Sequence, residues 1–141
     1  MESEALKRRT ASRLGWAGLL PFPALAGAAH LVTGWPWLQW LATYALAIIC
    51  FLAGAWWGIA LIRREYRILL ASNAVVVIAW AAYLADRELF LPLAACLLYL
   101  EYRVEQQHAM FSPTPHYYLQ LRLRLTAVAS LSLLLGFAAS F

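Results

Sequence analysis

Charge is what this sequence has least of. Asp, Glu, Lys and Arg make up 13% of its 141 residues, where a soluble domain carries about 25%. Hydrophobic residues make up 64%. A water-soluble fold of this length could not cover so much apolar surface, so the solvent the chain fits is lipid. Cysteine is scarce as well. Cys50 and Cys96 each lie inside an apolar run, with no CxxC spacing and no adjacent histidine. Both are read as lipid- or core-buried thiols, and a disulfide between them would need their two helices to adjoin at matching depth. Enzyme signatures are missing: there is no GxGxxG, P-loop, HExxH or GxSxG. Ser, His and Asp occur, but not together at one membrane depth. The expectation is a non-enzymatic protein with no cofactor and no metal.

What is present is a series of apolar runs. A helix needs about 20 mostly apolar residues to cross a bilayer. Five segments qualify, at about 14–33, 38–62, 68–85, 89–107 and 119–141. The predicted class is all-α: an integral membrane bundle of five transmembrane helices in one domain (14–141), preceded by a basic arm (1–13). The second span is the most secure. The fourth is the weakest, because Glu101 follows soon after Leu89. Gly34-Trp35-Pro36-Trp37 reads as a tight turn with interfacial aromatics. Arg63–Arg67 and Asp86-Arg87-Glu88 read as short charged loops. Ser112-Pro113-Thr114-Pro115 should break any helix in the one long loop, 105–117.

The net charge of +4 raises a nucleic-acid reading. The basic residues sit in clusters between apolar runs rather than along one soluble face, which excludes it. Placing the N-terminus inside puts Lys7, Arg8, Arg9, Arg13, Arg63, Arg64, Arg67, Arg103, Arg122 and Arg124 on one side, and only Arg87 on the other. The positive-inside rule then predicts a cytoplasmic N-terminus and a periplasmic C-terminus. Ala24-Leu25-Ala26 has the form of a leader cleavage site. Pro21 and Pro23 interrupt the apolar core of such a leader, however, and the run continues to Val32, so the first span is expected to be retained.

Polar residues at membrane depth are candidate sites by default. His30, near the outer end of the first span, suits a carbonyl or interfacial water. A haem or metal would want a second histidine at that depth, and His108 and His116 fall on the opposite side. Glu101 lies about 18 Å into the fourth span at 1.5 Å per residue, so it should be protonated or paired. Arg122 and Arg124 are the cations in reach, and they point to nearly opposite sides of their helix. Glu101–Arg122 is the candidate intramembrane ion pair, structural or part of a relay. Asn73, beside Ser72, is expected to bond a neighbouring helix or backbone, and Thr126 and Ser130 share a face that suits the same use. In 51–58, FLAGAWWG, Gly54 and Gly58 share one helix face with Ala53 and Trp57 adjoining it. The pattern predicts a small-residue packing groove walled by Trp57, with Trp56 turned away toward lipid or another helix.

Three stretches resemble a family of small multi-pass membrane proteins of unknown function that includes vertebrate transmembrane protein 69. Leu14, Gly15, Ala17, Gly18, Pro21 and Phe22 match its first motif. Tyr44, Phe51, Leu52, Gly54, Trp57 and Gly58 match the second. Leu121, Arg122, Leu125 and Thr126 match the third. Ala53 departs from the family's usual glycine but keeps a small residue. The resemblance implies that the first span is retained and favours Arg122 over Arg124 as the partner of Glu101. It implies no activity.

The leading expectation is a multi-pass protein of the bacterial inner membrane, a small accessory or assembly subunit or a self-associating bundle. Its partners would be lipids, a membrane protein or further copies of itself, with no nucleic acid. A small oligomeric transporter or channel is the alternative, and a quinone- or haem-binding membrane protein the second.

Overall fold

The computed structural model describes residues 2–108 and 116–140. Within them every regular element is helical: α1 (Glu2–Leu19), α2 (Pro21–Leu31), α3 (Trp37–Arg63), α4 (Tyr66–Ala85), α5 (Arg87–Gln107) and α6 (His116–Ala138). The all-α bundle expected from the apolar runs is what the chain forms. The arm expected over 1–13 is the first part of α1. The Ser112–Pro115 break lies outside the described residues.

Local chemistry sets the joints. Pro21 and Pro23 have no N–H to donate, so the ladder thins between α1 and α2. Leu20 stays helical (φ −51°, ψ −40°), and the two helices run on as one interrupted rod. Gly34, at φ +97°, makes the turn before Pro36, and Trp35, Trp37 and Trp40 pack there ring against ring. α3 ends on Arg64 in the left-handed conformation (φ 58°), with the Glu65 N–H closing back on Ala60 O at 2.9 Å. The charged stretch 86–88 is a helix start rather than a loop. The Asp86 carboxylate accepts from the N–H groups of Glu88 (2.9 Å) and Leu89 (3.2 Å).

With α1–α2 taken as one rod, successive helices alternate in direction. α3, α5 and α6 form the inside of the bundle, with α1–α2 against α6 and α3, and α4 against α3 and α5. The buried stripe of α3 is small: Ala42, Ala45, Ala53 and Ala60 alternate with Leu41, Ile49 and Trp56. Such a stripe lets helix backbones approach closely. Phe22, Phe90, Leu91, Leu98 and Leu133 fill the centre. Large apolar residues such as Leu31, Phe51, Ile62, Leu70, Val77 and Leu135 face outward. This surface is suited to lipid rather than water.

Among the described residues, four helical stretches are long and apolar enough to cross a membrane: Arg8–Leu31, Trp37–Arg63, Tyr66–Ala85 and Gln120–Ala138. α5 is long enough, but Glu101, Arg103 and Glu105 lower its hydropathy. It packs against α3, α4 and α6, and eight of its residues are buried, Glu101 and Tyr102 among them. The weakest span by sequence is thus an interior helix. The alternating directions also bring the segments bearing Lys7 to Arg13, Arg63 to Arg67, Arg103, Arg122 and Arg124 to one end of the bundle, with Arg87 at the other.

Gly136 marks the tightest approach in the core. A Cβ there would fall 2.5 Å from Leu41 Cδ2, and Leu41 has no solvent exposure into which to move. Gly136→Leu should therefore destabilise the bundle by about 1–3 kcal/mol, read as a lower melting midpoint in detergent. Gly54→Leu should not lower it, because a Cβ at Gly54 meets nothing within 4 Å.

Candidate functional site

The buried charges gather near the basic end, where α3, α5 and α6 meet. Arg122, on the second turn of α6, donates from Nε to Glu105 Oε2 at 2.9 Å. Its Nη1 donates to Thr126 Oγ1, one turn further along the same helix, at 2.6 Å. The other Glu105 oxygen accepts from Trp56 Nε1 at 2.9 Å. One carboxylate thereby ties α5 to both α3 and α6. Beside it, Gln106 donates to the Tyr102 hydroxyl.

Glu101 is fully buried, yet neither carboxylate oxygen has a hydrogen-bond partner. The expected Glu101–Arg122 pair is corrected here: Arg122 pairs with Glu105. Helix geometry supplies the reason. Side chains lean toward the N-terminus of their own helix, and α5 runs antiparallel to α6. The Glu105 carboxylate therefore rises to the level of Arg122, while that of Glu101, one turn on, overshoots it. Arg122 also keeps one buried nitrogen, Nη2, without a partner.

In FLAGAWWG the two tryptophans diverge, Trp56 toward another helix and Trp57 toward the α3–α4 hollow. Trp56 is 2% exposed and bonded to Glu105, whereas Trp57 is 44% exposed. Ala53 joins the buried stripe. Gly54 is exposed and Gly58 half-buried, and a Cβ on either meets nothing within 4 Å. At about 100° per residue, both glycines lie well around the helix from Ala53. They face out of this chain rather than into it. Asn73 does likewise. It is exposed and makes no hydrogen bond among the described residues, while its neighbour Ser72 is buried and donates to Leu69 O at 2.8 Å. Between α3 and α4, Cys50, Ala53, Gly54, Trp57, Ser72, Asn73 and Val76 surround an open hollow of about 230 Å³.

The remaining polar candidates tie helices together. His30 Nε2 lies 2.7 Å from Leu135 O, joining α2 to α6. Ser130 donates to Ala95 O on α5 at 3.5 Å, whereas Thr126 serves Arg122 instead. Tyr44 donates to Gly18 O across α3 and α1. Both cysteines are free, Cys50 half-buried and Cys96 exposed.

A second cavity, of about 250 Å³, lies on the other side of the bundle. Leu14, Gly15, Gly18 and Phe22 line it from α1 and α2, Phe51 and Leu52 from α3, and Leu121, Arg122, Leu125 and Thr126 from α6. The three sequence stretches that are far apart in the chain thus converge on one hollow. Sequence reasoning missed this cavity and missed Glu105. The latter had a legible signal: Glu101 and Glu105 are four apart and share a helix face.

A family model described as a protein of unknown function (DUF3429) matches residues 7–138. Comparison with curated proteins and with solved structures finds no match.

The two acids should respond differently to replacement. Glu105→Ala leaves Arg122 buried without its anion and should cost about 3–5 kcal/mol. Glu101→Leu removes two unsatisfied oxygens and should be neutral or stabilising. Melting midpoints of the two variants, measured in one detergent, check the contrast.

Proposed function

The chain belongs to the DUF3429 family, and from that premise we propose that it is a non-enzymatic integral membrane protein that works by helix association. It would be a self-associating accessory bundle whose contact surface is the α3–α4 face. The observation that carries this reading is Asn73 beside Gly54 at the open α3–α4 hollow. An amide facing hydrocarbon lacks the hydrogen bonds that water would give it. A neighbouring transmembrane helix supplies them, and Gly54 lets its backbone come close.

The occupant we favour is a second copy of this chain. A carboxamide is both donor and acceptor, so it is complementary to itself across a two-fold axis. The reading extends to a bacterial inner membrane with the basic end in the cytoplasm, which follows the positive-inside rule. It extends also to kinship with vertebrate transmembrane protein 69, through the three shared stretches. Transport is less favoured, because a path needs polar groups in series, and the buried charged residues among those described gather at one end only.

Association can be measured in lipid nanodiscs by single-molecule photobleaching or by bismaleimide cross-linking at Cys50 in a Cys96→Ser background. The wild type should be dimeric. Asn73→Leu should weaken dimerisation about threefold to thirtyfold, the range for one interhelical hydrogen bond in lipid. Gly54→Leu should weaken it without lowering monomer stability. A monomeric wild type, or association indifferent to both substitutions, would overturn the reading.

A further inference from the structure

The cavity beside Arg122 is built of apolar side chains with one polar corner. Leu14, Gly18, Phe22, Phe51 and Leu125 make its walls, and Arg122 and Thr126 stand together at one end. The Thr126 hydroxyl accepts from Arg122 Nη1, which leaves its own proton to give at that corner. Arg122 itself is committed to Glu105 and Thr126, and its remaining nitrogen, Nη2, is sealed from the cavity space. One carbonyl oxygen can accept from the Thr126 hydroxyl.

Shape agrees with an extended chain. The lining runs from Leu121 to Ala129 on α6 and from Leu14 to Phe22 on α1–α2, about 12 Å along either helix. The polar corner lies about 9 Å from the start of α6, at the basic end of the bundle. There a bilayer passes from headgroups to hydrocarbon.

Charge selects the head. Arg122 and Glu105 sum to zero, and Glu101 adds zero or one negative charge. The corner therefore offers a hydrogen-bond donor without net positive charge, which suits an uncharged acceptor better than an anion.

We propose that this cavity is a binding site for an acyl chain whose uncharged ester carbonyl accepts a hydrogen bond from Thr126. The chain lies along α6 past Leu125 toward Ala129. Two sources share this chemistry: a glycerolipid of the surrounding bilayer and a single-chain neutral ester.

Native mass spectrometry of the protein in a detergent without a carbonyl tests the site with three probes of equal chain length. Monoolein should be retained one to one. Octadecene, which lacks the acceptor, and oleate, which carries a charge, should be retained less. Thr126→Val should weaken monoolein binding about threefold to tenfold, the range for one neutral hydrogen bond. Gly18→Leu should abolish it by filling the cavity. It should do so without unfolding the bundle, because a Cβ at Gly18 meets only the Tyr44 hydroxyl, at 3.9 Å. Protein extracted directly from membranes distinguishes the sources. A diacyl adduct identifies the bilayer, a single-chain ester identifies the other pool, and either upholds the site. Equal retention of octadecene, tighter binding of oleate, or indifference to Thr126→Val and Gly18→Leu would overturn it.

Discussion

Moving a guanidinium from water into an apolar interior costs several kcal/mol unless an anion and further acceptors meet it there. Arg122 imposes that demand where α3, α5 and α6 converge, and Glu105 and Thr126 answer it. Because Glu105 also accepts from Trp56, satisfying one cation fixes the relative height of three helices. An apolar seam of alanine and leucine tolerates sliding by a turn. A carboxylate shared between an arginine and an indole does not. The register that brings the motif residues around one cavity follows from this point.

The same demand orders the polar residues by depth and direction. Those near the basic end, Trp56, Glu101, Glu105, Arg122 and Thr126, look inward. Further along, His30 and Tyr44 spend their hydrogen bonds on carbonyls of neighbouring helices, which lipid cannot satisfy. Asn73 and the two glycines of α3 stand apart because they look outward. The bundle thus leaves polarity without a partner in two places, inside at Glu101 and one Arg122 nitrogen, and outside on the face that carries Asn73.

Much of the fold could be read from the sequence because membrane depth is written in composition. The second span, expected at 38–62, is α3 (37–63), and the third, expected at 68–85, is α4 (66–85). What could not be read was rotation about each helix axis. FLAGAWWG contains small and large residues on every side, and only the neighbours decide that Trp56 rather than Trp57 is buried. The partner of Arg122 was hidden for a related reason. Distance along a helix places Glu101 and Glu105 one turn apart, but the lean of side chains in an antiparallel pair chooses between them. The cavity assembles residues more than a hundred positions apart, which no local pattern announces.

The interior position of α5 bears on how the bundle is made. Glu101, Arg103 and Glu105 would each disfavour partition of this helix into lipid on its own, and two of them find their places only against other helices. Glu105 needs Trp56 from a span already threaded and Arg122 from one not yet synthesised. On this account α5 does not enter the bilayer as an independent segment. It is expected to cross together with α6 as a hairpin, since α6 carries the cation that Glu105 pairs with.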